Sequence, residues 1–388
     1  ALLFLYIIFS GPANNYLFEK NGLDISLLVI GYTLVSVFER FLFLDVRMEQ
    51  NGVLYSNINI AQKVLNIAFI FAAWYFLGDD FRVVLYAMTL SWGSTTLFLA
   101  IRYLLRRRDS ELSKEDGKTV YQRKELIRYG APFILVLLME WLLSSCDRIA
   151  LKQWSNYSEL GIYAAAMKIM VLLLTFKNTF IAFWSPVAME KYEHETREVC
   201  SGFFRNVFDM TRYLAILAAA GLILFRGLVV LLLGEGYRGA DKIIPFLTFM
   251  PIFAIMFEIT VQGIKFVKKN MLLNFASAAA IIANIAGNAV LVPRLAGVGA
   301  AITTGLSYII YFIAGSYFSE RTWKVGYDFK RTAVDSILLI IYAAFATFNK
   351  GFILTSLEGI VLIITVSFIE RKTLIYIYKI AKDKLKGA

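Results

Sequence analysis

Apolar residues run along this chain in blocks of roughly twenty, separated by short charged stretches. Twenty residues is about the length a helix needs to cross 30 Å of hydrocarbon. About twelve such blocks can be read, and they predict membrane spans. The first six lie near residues 1–16, 26–46, 55–77, 83–105, 130–151 and 159–185. The others lie near 206–225, 243–264, 271–292, 299–318, 332–348 and 352–369. The expected fold class is therefore all-α and polytopic.

The polar residues between the blocks carry the orientation. Connectors after spans 2, 4, 6, 8 and 10, together with the tail, hold more than half of the 40 Lys and Arg, and the alternate connectors hold few. Cytoplasmic connectors are enriched in these residues. Ala1 and Ala388 thus both fall on the cytoplasmic side, and a wrong helix count would break the alternation. The longest connector, Arg102 to Arg128, carries Arg106-Arg107-Arg108 and an alternating-charge stretch from Glu111 to Lys124. It reads as an inter-lobe linker on the cytoplasmic face, or simply as a topology signal in contact with anionic lipid. Ala1 opens inside an apolar run without an initiator Met or a basic n-region, which predicts one or two further helices before it. The expected organisation is a four-span N-terminal lobe over 1–105 and a basic linker over 106–128. A six-span C-terminal lobe over 129–318 follows, then two extra spans and a basic tail over 319–388.

Composition narrows the class further. Hydrophobic residues make up 59% and charged residues 18%, against about 45–50% and about 25% in soluble domains. A net charge of +11 would suggest nucleic acid in a soluble protein. Here the basic residues sit between spans, so nucleic-acid binding is not expected. Cys146 lies inside an apolar block and Cys200 in a cytoplasmic connector, a poor disulfide pair. His194 reads as a solvated surface residue. No phosphate-binding G-x-x-x-x-G-K-[ST] run occurs, and no Cys/His cluster has metal-ligand spacing. Gly297-Val298-Gly299-Ala300-Ala301 lies between two spans with no soluble strand before it, so it is a helix-start turn and not a dinucleotide loop. No cofactor is expected, and transport would draw on an ion gradient, the membrane potential or consumption of the cargo. The outer loops are short, which argues against the large catalytic loops of membrane glycosyltransferases, ligases and polymerases.

Ionisable residues inside spans are costly and mark candidate sites. On the third span Asn59, Gln62, Lys63 and Asn66 recur at i, i+3, i+4 and i+7, forming one polar stripe on an otherwise apolar helix. Such a stripe lines an aqueous cavity or makes an interhelical hydrogen-bond seam, and its lysine favours the cavity. On the fifth span Glu140, Ser144 and Asp147 share a face, with Arg148 turned away. Glu140 falls near mid-depth, where a carboxylate can bind and release H+, ligate Na+ or pair with a lysine of a neighbouring helix. Asp147 and Arg148 lie nearer the outer surface, where they can couple an ion and contact cargo or pair locally and snorkel. On the sixth span Lys168, Thr175 and Thr179 align, while Lys177 points to the opposite face, which makes Lys168 the cavity candidate. Arg40 lies near the cytoplasmic end of the second span. Asp209 and Arg212 are spaced as a structural i, i+3 pair. Glu258, with Gln262 one turn on, is a second ion-coupling candidate.

After the linker, Leu126-Ile127-Arg128-Tyr129-Gly130-Ala131-Pro132 leads to Glu140-Trp141, Ser145-Cys146-Asp147-Arg148-Ile149 and the run from Glu159 to Ile169. Ser185-Pro186, Glu190-Lys191-Tyr192, Leu233-Gly234-Glu235-Gly236-Tyr237, and Val292-Pro293-Arg294 with Gly297 to Ala301 follow in order. Over about 126–310 the chain resembles the bacterial polysaccharide-repeat-unit (O-antigen and capsule) flippases. These belong to the multidrug/oligosaccharidyl-lipid/polysaccharide exporter superfamily. The resemblance implies two six-helix lobes around a central cavity with alternating access. The two spans over 332–369 resemble the extra helices of lipid II flippases.

A basic cavity suits such a cargo. An undecaprenyl-diphosphate-linked oligosaccharide carries negative charge and many hydroxyls, for which cations and amides are the complement. The expected partners are this lipid-linked oligosaccharide, membrane lipid, H+ or Na+, and polysaccharide polymerase or chain-length machinery. The expected location is the cytoplasmic membrane of a bacterium or archaeon. Two other readings stay open. One is a cation-coupled drug or small-solute antiporter of the same fold, which calls for an acidic cavity; the other is a membrane-embedded polysaccharide polymerase or ligase.

Overall fold

The computed structural model describes residues 6–20, 22–48, 52–110, 141–142, 145–267, 269, 271–349 and 351–386. Nearly all of these are helical and none is in a strand. The chain divides into two compact units, Ala1–Tyr121 and Gln122–Ala388.

The first unit holds α1 (Ser10–Phe18), α2 (Leu23–Met48), α3 (Gly52–Leu77) and α4 (Arg82–Ser110). The last three, at 26, 26 and 29 residues, each exceed what a bilayer requires. α4 packs against both α2 and α3. Gly78, at φ +64°, turns the chain between α3 and α4. Beyond it the Arg82 guanidinium meets Asp24 at 2.8 Å and Asp80 at 3.0 Å, tying the start of α4 to the start of α2. Hydrogen bonding from Arg82 holds the Asp80 carboxyl below the usual carboxylate range. Phe71, Trp74, Leu97 and Phe98 are exposed, as befits helices whose solvent is hydrocarbon.

The second unit begins with α5, helical over 145–154. It continues with α6 (Tyr157–His194), α7 (Arg197–Leu224), α8 (Arg226–Leu231), a 3-10 segment (Glu235–Lys242), α9 (Ile244–Leu247), α10 (Phe249–Thr260) and α11 (Gln262–Phe266). α12 (Met271–Thr322), α13 (Phe329–Phe348), α14 (Phe352–Ile369) and α15 (Arg371–Lys386) complete it. Among the described residues of the whole chain, seven helices are long and apolar enough to cross a membrane, or up to nine if each of two bent pairs is one span.

These helices map onto the sequence windows with physical exceptions. The ninth and tenth windows are one continuous element, the 52-residue α12, broken at Ala296 (φ 47°, ψ −127°). Pro293 three residues earlier lacks the N–H that would continue the ladder. The eighth window is interrupted into α9, α10 and α11, and its 3-10 approach is bent by 63°. After the twelfth window the chain turns by 76° into α15. There Thr373 is buried, while Arg371, Lys372, Lys379 and Lys382 are exposed. Most of the fifth window, the start of the first, and the stretch 126–132 of the sequence resemblance lie outside the described residues.

One apolar core joins α6, α7, α10, α12 and α13, with Tyr163, Phe204, Phe208, Phe249 and Phe253 wholly or almost wholly buried. Tyr192 stacks on Phe266 with ring centroids 4.2 Å apart. Small residues let the helices touch backbone to backbone. A Cβ placed on Gly305 of α12 would lie 2.5 Å from the Phe246 carbonyl oxygen of α9.

Candidate functional site

Two anchors set the register between α6 and α12. The Asn156 side chain caps α6 by accepting from the Glu159 N–H at 2.9 Å. The Glu159 carboxylate in turn accepts from the Gly297 N–H at 3.2 Å, at the break in α12. Tyr163 lies one helical turn beyond Glu159 and Thr304 two turns beyond Gly297, and their hydroxyls meet at 3.2 Å. Asp147 of α5 meets them there, 2% exposed.

The Asp147 carboxylate accepts four hydrogen bonds. Tyr163 Oη and Thr304 Oγ1 each donate to Oδ2 at 2.6 Å. Asn288 Nδ2 donates to Oδ1 at 2.7 Å, and Asn284 Nδ2 donates to the same oxygen at 3.1 Å. The two asparagines lie one turn apart and are joined at 3.0 Å. Asn288 Oδ1 is buried with no hydrogen-bond donor among the described residues. Among the described residues this carboxylate is hydrogen-bonded by neutral side chains alone, and Arg148 beside it is exposed. The site therefore combines one buried negative charge with several side-chain oxygen atoms and one unused acceptor, Asn288 Oδ1. Oxygen atoms around a negative charge are the ligand type that small hard cations take. No group of three or more His, Cys, Asp or Glu that could hold a metal ion converges among the described residues.

Glu258 of α10 has a different environment. Lys265 Nζ lies 3.1 Å from one of its oxygens and Lys177 Nζ 3.5 Å from the other. The carboxylate is thus already matched by two ammonium groups. Lys177 faces into the unit, whereas Lys168, the lysine favoured from the sequence, is exposed. A third cluster centres on Arg212 of α7, fully buried with Asp335 at 3.3 Å and Glu370 at 2.6 Å; Asp209 lies at 3.3 Å. The i, i+3 pair seen in the sequence is present, inside a larger ion cluster that includes α13 and the end of α14.

In the first unit the polar stripe of α3 makes contacts between helices. Gln62, 5% exposed, donates to the buried Glu39 of α2. Asn66 donates to Ser91 Oγ of α4 at 3.2 Å. Asn59 bonds the Tyr55 carbonyl of its own helix at 2.8 Å. Lys63 and Arg40 are exposed. Glu140 and Ser144 lie outside the described residues. Tyr163, Asn284, Asn288 and Thr304 are the partners that sequence reasoning missed. Their available signal was the i, i+4 asparagine pair inside an apolar window.

With these sites in view, the fold can be compared. The structure matches the lipid II flippase MurJ in its inward closed conformation with a TM-score of 0.64 at 13% sequence identity. The match covers 96% of this chain and 81% of that one. The chain shares that flippase's fold. No family model matches the sequence, and no curated protein matches it. The chain is thus a multi-pass helical membrane protein with that fold.

Proposed function

We propose that this protein flips undecaprenyl-diphosphate-linked oligosaccharide repeat units from the cytoplasmic to the outer leaflet for assembly of a surface polysaccharide. The observation that carries the reading is the likeness in fold to a lipid II flippase across 96% of the chain. The sequence resemblance to repeat-unit flippases supports the finer choice of cargo. The alternation of Lys and Arg along the connectors supports a cytoplasmic-membrane location with both ends of this chain inside. A polymerase with its chain-length machinery would consume the flipped unit.

The cargo head group needs cations and hydrogen-bonding groups. Lys63 and Arg40 on the first unit, and Lys168 and Arg148 on the second, are exposed cations that serve this need. Asn59 adds an amide; Gln62 and Asn66 contribute by holding α3 against its neighbours. Asp147 is the coupling group, taking up Na+ or H+. An ion gradient does work only if the ion binds one conformation better than the other. Asp147 joins α5, α6 and both halves of α12, so a shift among these helices changes its oxygen set.

The test is the leaflet distribution of lipid-linked repeat units in cells deprived of the protein. Accumulation on the cytoplasmic leaflet, reversed by the wild-type protein and not by Asp147→Asn, is the expected result. An unchanged distribution in the deprived cells overturns the proposal.

A further inference from the structure

Beside the Glu258 ion cluster runs an apolar groove of about 650 Å³ between α6, α7 and α10. Leu173, Phe176, Leu214, Phe225 and Ile252 line it, and Lys177 stands in its wall. The opposite wall, on α7, is cut low by Ala218 and Gly221. A Cβ on Gly221 would meet nothing within 4 Å, so the wall there opens onto empty space.

Charge count decides what fits. Two ammonium groups share the single Glu258 carboxylate, and the three side chains are 21% (Lys177), 15% (Glu258) and 34% (Lys265) exposed. The cluster carries a formal charge of +1, with Lys177 past the middle of the 38-residue α6 and Lys265 just beyond the eighth apolar window, at its basic connector. A second anion balances that charge. Thr248 Oγ1, a polar group on the groove, is already bonded to the Ile244 carbonyl at 2.8 Å. Lys177 is thus the charged group the groove presents, and apart from Thr211 and Thr248 its other lining side chains are apolar.

We propose that this groove holds the lipid anchor of the cargo, a polyprenyl diphosphate. Its phosphate sits against Lys177 and Lys265, and its isoprenoid chain lies along α7. The proposal rests on the flippase reading for the identity of the lipid. Glu258 competes with the phosphate for both lysines and so weakens binding, which lets the anchor leave.

The test is equilibrium binding of sugar-free polyprenyl diphosphate to the purified full chain in nanodiscs, with phosphatidylglycerol as competitor. Lys177→Gln and Lys265→Gln should each weaken binding roughly tenfold or more, the loss of a charged hydrogen bond. Gly221→Trp, which fills the groove, should weaken it too. Glu258→Gln should tighten it, an effect that damage to the fold cannot mimic. Wild-type binding in both Lys177→Gln and Gly221→Trp overturns the proposal, as does equal displacement by phosphatidylglycerol, which would mark an ordinary annular lipid site. If binding behaves as expected while repeat units keep their leaflet distribution in deprived cells, the flippase reading fails and the groove stands. If repeat units accumulate while the variants bind normally, the groove fails and the flippase reading stands.

Discussion

Arg212 of α7 and Glu370 at the end of α14 meet at 2.6 Å, and neither side chain is exposed at all. Thr373 of α15 donates to the second Glu370 oxygen at 2.8 Å, and Asp335 of α13 lies 3.3 Å from the Arg212 Nε. One guanidinium on α7 therefore binds all three of the last helices to the rest of the unit. Residues 319–388, expected from the sequence to be two extra spans and a tail, are thus held through charge as well as through the apolar core.

Removing the guanidinium should strand two buried carboxylates. Arg212→Met is expected to destabilise the protein by about 3–5 kcal/mol, the usual cost of breaking a buried pair from one side. Adding Asp335→Asn and Glu370→Gln should recover more than half of that loss. Thermal unfolding in detergent checks both, and an unrescued triple variant would show that the arginine acts by packing and not by charge.

The α3 stripe allows a division of roles to be measured. Gln62→Leu leaves the buried Glu39 without its donor and should cost about 1–3 kcal/mol. Lys63→Gln, at an exposed position, should stay within about 0.5 kcal/mol of wild type while slowing flipping of the repeat unit. Equal stability losses in the two variants would place Lys63 in the seam as well.

Gly305 tests the backbone contact between α12 and α9. Because a Cβ there would press on the Phe246 carbonyl, which cannot rotate away, Gly305→Ala should destabilise by about 1–3 kcal/mol. Gly202, where a Cβ meets nothing within 4 Å, should accept alanine without loss. Paired melting curves decide it; parity between the two variants would mean that α12 slides freely on α9.

The membrane class and the approximate place of most spans were legible in the residues alone, whereas Asp147 read only as one of three candidate acids, near the outer surface and able to pair locally. Transfer into hydrocarbon is a local property, summed over about twenty consecutive residues, so a window along the chain is enough to read it. Which partner each polar group takes is not local. Asp147 bonds Asn284 and Thr304 across 137 and 157 positions, and Lys177 reaches Glu258 across 81. Helical periodicity turned Lys177 away from Lys168 correctly, yet could not say which of the two faces met a carboxylate and a groove. Only the packing of one helix on another sets that register, because a rotation of one residue, about 100°, exchanges the buried face for the exposed one.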